Sequence, residues 1–129
     1  MSAGTAALAV LASGHGTILE AMLAAGVPLA LSSDAPYGPL DPWAVMTAAV
    51  HRRTASGAVL GAAETMTPAQ ALAGYLGSPG DPGGSPRRVG VGCTADLVVL
   101  DRTLTDVLHA PTSDAVRATL VGGQVMFAR

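Results

Sequence analysis

The sequence predicts an α/β chain, on three observations. A capped helix followed by glycine runs into a short, wholly apolar segment at Val27–Leu31. Two more helix starts carry proline in their first turn. Beyond a Ser/Gly/Pro-rich stretch the texture turns to β, with a Gly-Gly hairpin signal near the end.

The first helix opens at Thr17-Ile18-Leu19-Glu20, which has the form of a capping box: hydroxyl and carboxylate each satisfy a free backbone N–H. Ile18, Leu19, Met22 and Leu23 make its apolar side, and Gly26 stops it. Val27-Pro28-Leu29-Ala30-Leu31 does not alternate, which suits a parallel strand covered on both faces, with Pro28 near its start. Asp41-Pro42 reads as an N-cap followed by proline at N1, and that helix buries Trp43, Met46 and Val50. His51, Arg52 and Arg53 close it, placing cations at the negative end of the dipole. Thr67-Pro68-Ala69-Gln70 is a second capping box, whose helix is expected to pack Ala69, Leu72, Ala73 and Leu76 and to stop at Gly77. Ser78–Pro86 is the clearest boundary. After it, Leu97–Leu100 reads as a strand. Val116–Val121 and Gln124–Ala128 flank Gly122-Gly123 as a hairpin.

Composition narrows the function classes. The 129 residues suffice for one ordinary domain, 50% of them are hydrophobic, and only 3% are aromatic. The core must therefore be built from small aliphatic side chains. Charged residues make up 12%, the net charge is −2, lysine is absent and the 7 arginines are scattered, which argues against a nucleic-acid partner. Lone Cys93 excludes an internal disulfide framework and fits a reducing cytoplasm. The apolar run Ala6–Ala12 lacks a basic flank and is short for a signal peptide. No stretch approaches the roughly 18 apolar residues of a membrane span.

Asp34 is the leading candidate for chemistry. It follows the apolar run directly, and in α/β folds ligands gather at the carboxyl ends of strands. A carboxylate there can bind a divalent metal or take a proton from water. It can equally cap the turn before Pro36; the residues alone leave both readings open. Asp41 is best read as the N-cap, and Asp96 and Asp101 as turn residues. His15 lies between glycines, His51 at a helix end and His109 in a loop before Pro111. No H-x-H or H-E-x-x-H pattern joins them. Ser32 and Ser33 have no nucleophile elbow around them, and Cys93 has no cationic neighbour in sequence.

Ser32-Ser33-Asp34-Ala35-Pro36-Tyr37-Gly38-Pro39-Leu40-Asp41-Pro42-Trp43 resembles the amidohydrolase superfamily, in its amidohydrolase-3 branch. Thr67–Leu72 is similar to that family's LTPEQAL helix start, Gly92–Asp101 to its G-x-x-ADLVVLD segment, and Val116–Gly123 to its closing V-x-x-T-x-VGG. The resemblance covers Leu19 to Ala128.

It implies a C-terminal fragment of a TIM-barrel hydrolase with a β-sandwich tail. Residues 1–77 would be the end of the barrel, with Val27–Leu31 as its eighth strand. Residues 78–88 would be a linker and 89–129 a share of the sandwich. The implied activity is hydrolysis of non-peptide C–N bonds in a small amide substrate by metal-activated water. Asp34 would be the catalytic and metal-binding aspartate, and zinc the expected metal. Such a barrel takes about 250 residues, and a catalytic zinc about three protein ligands. The remaining ligands are thus expected from a partner chain or a further copy, unless the chain is a non-catalytic remnant.

Overall fold

The computed structural model describes residues 17–54 and 56–129. Four helices, α1 (Thr17–Ala24), α2 (Pro42–His51), α3 (Pro68–Ala73) and α4 (Leu104–His109), accompany three strands, β1 (Leu97–Leu100), β2 (Val116–Val121) and β3 (Gln124–Ala128). The architecture is mixed helix with a small antiparallel sheet, in strand order β1-β2-β3. The run Ala6–Ala12 lies outside the described residues.

Two helix starts form as their residues require. The Asp41 carboxylate accepts the Trp43 N–H at 2.9 Å, satisfying a donor that the helix itself leaves free. At α3 the box closes in both directions: Thr67 Oγ1 accepts the Gln70 N–H, and Gln70 Oε1 accepts the Thr67 N–H at 2.8 Å. Helix α1 is described from Thr17 onward, and the Thr17 side chain that the capping box invokes lies outside the described atoms.

Several expectations need correction. Val27–Leu31 is not a strand. Among the described residues no neighbouring chain pairs with it, and the Leu31 N–H donates to the Gly74 carbonyl at 3.0 Å instead. Nor is the run covered on both faces: Val27, Pro28 and Ala30 are exposed, and Leu29 and Leu31 are half-buried; a strand exists only with a partner. Helix α3 ends at Ala73 with Gly74 as its cap, short of Gly77, and it buries Ala71 rather than Ala69. His109 is not in a loop: it is the last residue of α4, whose Thr103 cap accepts the Asp106 N–H. The sheet contains no parallel pair among the described residues.

The core is small. Met46, Met66 and Ala71 form its centre, with Leu23, Leu31, Trp43, Val50, Leu72 and Tyr75 packed against it. Glu64, in a 3₁₀ turn over Ala62–Glu64, is buried beside these residues at 4% exposure. Its Oε2 accepts from Arg52 Nη2 at 2.5 Å, and Arg52 Nε donates to the Leu60 carbonyl at 2.8 Å. The Met66 N–H donates to the Ala49 carbonyl, completing the return from α2 toward α3.

The sheet is less well covered. Residues Gly122 and Gly123, with φ of 56° and 82°, make the two-residue turn between β2 and β3, where most side chains are disfavoured. Asp96 steadies this turn: Oδ1 accepts the Gly122 N–H at 2.8 Å and Oδ2 accepts Arg87 Nη1 at 2.9 Å. Val98, Val99, Val125, Met126 and Phe127 remain exposed.

Removing one member of a buried ion pair strands the other. Glu64→Ala is expected to lower stability by about 3 kcal/mol. In urea titrations, Arg52→Ala added to Glu64→Ala should cost less than the sum of the two single changes.

Candidate functional site

Asp34 sits on a tight loop between segment 27–33, which has no regular secondary structure, and α2. Its N–H donates to Ser32 Oγ at 3.3 Å, and its carbonyl accepts the N–H groups of Tyr37 at 2.9 Å and Gly38 at 3.4 Å. The Ala35-Pro36 bond within the loop is cis. With φ at 51°, Asp34 occupies the left-handed region, where Asp is tolerated better than most residues but still at a cost. The residue is exposed, and among the described residues no donor holds its carboxylate. Backbone is fixed while the acid is free.

Two close approaches hold the loop. A Cβ on Gly38 would lie 2.2 Å from the Ser33 carbonyl oxygen, so the chain can fold back on itself there only without a side chain. A Cβ on Gly74 would lie 2.8 Å from Leu31 Cγ and 3.3 Å from Leu31 N. The segment leading to Asp34 thus lies directly against the end of α3.

Of the other sequence candidates, Ser32 meets the Asp34 backbone, but the described acids, histidines and cysteine form no metal-holding group with Asp34. Among the described residues no group of three or more His, Cys, Asp or Glu is arranged to hold a metal ion. His15 lies outside the described residues; His51 and His109 are exposed at the ends of α2 and α4. Asp41 is committed to its cap, and Ser32 Oγ accepts from the Asp34 backbone. The Ser33 carbonyl faces Gly38. Cys93 is exposed in the Val91–Cys93 turn.

Electrostatics mark two places away from the loop. Burial, and secondarily the Asp41 carboxylate, push the Tyr75 hydroxyl above its ordinary value. Arg102 donates to Asp101 at 2.7 Å and 3.3 Å, and this hydrogen bonding holds the exposed Asp101 carboxyl below its usual range.

The largest features that sequence reasoning missed are the Arg52–Glu64 pair and α4. The pair spans 12 positions and has no short-range signal. Helix α4 does have one: Thr103-Leu104-Thr105-Asp106 repeats the form of a helix cap. A cleft of about 220 Å³ between α1 and α3 is lined by Leu23, Val27, Leu29, Met66, Gln70 and Pro86. Its walls are mostly apolar, and Gln70 is engaged with Thr67, so the cleft offers no reactive group.

Because pairing lowers the Asp101 pKa, the small stabilisation it brings is present above the unfolded-state value and lost as pH falls through the folded one. A carbon-13 carboxyl titration is expected to place Asp101 below about 3.9, the ordinary aspartate value. Arg102→Ala should move its midpoint upward.

Comparison with known proteins gives a consistent result. Residues 6–127 match the family model described as "Amidohydrolase family". An N-substituted formamide deformylase of Arthrobacter pascens is 35% identical over 115 residues, covering 86% of this chain and 21% of that protein. The chain therefore spans about a fifth of the length of the curated relative it matches. No solved structure matches.

Proposed function

Because this chain belongs to the amidohydrolase family, we propose that it supplies the Asp34 loop to a hydrolase of non-peptide carbon–nitrogen bonds. The substrate class is a small amide, in keeping with the N-substituted formamide named for its relative. The observation that carries this reading is the Asp34 loop itself: an exposed carboxylate, with no donor on it among the described residues, on a backbone held in an unfavourable conformation.

In this reading Asp34 works as the proton acceptor of hydrolysis. A water oxygen attacks the amide carbonyl carbon while an Asp34 carboxylate oxygen takes the proton. The tetrahedral intermediate then expels the amine, which receives that proton as the C–N bond breaks. The loop's part is to present the carboxylate without a competing partner.

The family resemblance also implies a divalent metal, zinc being the expected one. The described residues do not fit such a site by themselves. A catalytic zinc takes about three protein ligands, and among the described residues Asp34 belongs to no group of three or more His, Cys, Asp or Glu that could hold a metal ion. Asp34 would be one ligand of a set whose other members come from further polypeptide.

The finer architecture belongs to the same proposal. Val27–Leu31 would become the eighth strand of a TIM barrel once neighbouring strands pair with it. Residues 1–77 would be barrel, 78–88 linker and 89–129 a share of a β-sandwich. Further polypeptide, from a partner chain or another copy, would complete the site, and the cytoplasm would be its compartment. A second reading, a non-catalytic remnant, draws on the same shortage of ligands.

Two measurements test the proposal. In the assembled enzyme, Asp34→Asn should lower kcat by about a thousandfold with circular dichroism unchanged, since Asn also tolerates the left-handed region. Near-normal turnover would remove Asp34 from the mechanism. After dialysis, elemental analysis of the isolated chain should find far less than one zinc per molecule. Tight stoichiometric zinc would contradict the incomplete-site reading.

A further inference from the structure

We infer that Gly38 and Gly74 form a two-point clamp that positions the Asp34 carboxylate, so that both are positioning residues for the reaction assigned to that loop. The inference rests on the reading of Asp34 given above, but its geometry stands independently of it.

The argument starts from how few bonds hold the segment. Among the described residues, beyond the Val27 N–H, which closes the end of α1 on Met22, the Leu31 N–H to the Gly74 carbonyl is the backbone hydrogen bond that ties residues 27–33 to another element. Leu31 is three positions before Asp34, so its register against α3 sets where the loop begins. That register depends on contact closer than a side chain on Gly74 permits. A Cβ there would meet Leu31 Cγ at 2.8 Å and Leu31 N at 3.3 Å. Leucine would have to turn away, and its backbone would have to retreat by some tenths of an ångström.

The second point is at the other end of the loop. Gly38 faces the Ser33 carbonyl oxygen, which a Cβ would approach to 2.2 Å. The neighbour is backbone, not the tip of a flexible side chain, so the loop itself must open. Opening it pulls on the Tyr37 and Gly38 N–H groups that converge on the Asp34 carbonyl. Those bonds hold Asp34 at its positive φ of 51°. Gly74 thus fixes where the loop starts, and Gly38 fixes how it closes.

Neither glycine is needed for its own backbone angles. Gly74 has φ −61° and ψ −14°, ordinary right-handed helical values that suit alanine well, and Gly38 is not among the positive-φ residues. Their requirement is space, which separates this role from a turn glycine's. Gly80 provides the control, because a Cβ there meets nothing within 4 Å.

The test compares Gly38→Ala, Gly74→Ala and Gly80→Ala in the chain as it stands, by amide hydrogen exchange and by the carbon-13 carboxyl signal of Asp34. Gly74→Ala should speed exchange at Leu31, and Gly38→Ala at Tyr37, by about tenfold or more. The Gln70 amide inside the α3 capping box should stay protected in both. The Asp34 carboxyl signal should move in both and stay put in Gly80→Ala. Adding Leu31→Ala to Gly74→Ala removes the Cγ that collides and should return the Asp34 signal toward its original position. Should Gly38→Ala fold poorly, the Gly74→Ala and Leu31→Ala pair decides alone. An unmoved Asp34 signal in Gly74→Ala, or a shift that Leu31→Ala does not reverse, overturns the clamp. These readouts do not involve turnover, so they fail or succeed separately from any role of Asp34 in hydrolysis.

Discussion

The contact between Arg52 and Glu64 organises the helical part of this protein. Arg52 closes α2 from a left-handed position, its N–H donating to Ala48, while its side chain reaches the Leu60 carbonyl and the buried Glu64 carboxylate. A carboxylate at 4% exposure is unfavourable unless paired and hydrogen-bonded. Both conditions are met here, and among the described residues no buried side-chain polar atom is left without a partner. The pair carries the chain back over Met46 so that Met66 and Ala71 can complete the core. Helix α3, delivered in this way, offers Gly74 to Leu31. The Asp34 loop is therefore placed by a succession of contacts that begins with one ion pair.

What was legible in the sequence was local. Asp41-Pro42, Thr67-Pro68-Ala69-Gln70 and Gly122-Gly123 each act over two or three residues, where side chain meets neighbouring backbone, and each forms as its chemistry requires. Misreadings arose where structure depends on distant partners. An apolar run such as Val27–Leu31 does not say whether a strand will lie beside it. Nor does an acid at position 64 announce an arginine at 52. The spacing argument placed Asp34 at the end of a buried strand; it lies in a loop, but the segment before it is not a strand. The glycines that shape that loop carried no pattern, since a close approach is invisible until both chains are seen.

Low aromatic content shows in the energetics. A core centred on two methionines and an alanine buries little area per residue, so each small contact carries a larger share of cohesion. That helps explain why polar devices are prominent: two side-chain caps on α2 and α3, the Arg52–Glu64 pair, and Asp96 joining Arg87 to the β2–β3 turn.

The outermost strand, β3, carries an irregularity along its free edge. β3 reads Gln-Val-Met-Phe-Ala, uncharged and free of proline, with all five residues exposed. Thr119 lies opposite Phe127 and Leu120 opposite Val125, so Met126 has no counterpart across the ladder. An unmatched residue bends the strand and breaks the even spacing of its outward N–H and C=O groups. One surplus methionine thus interrupts the regular edge that another strand would need as a template, a position where a lysine or a proline can serve the same end.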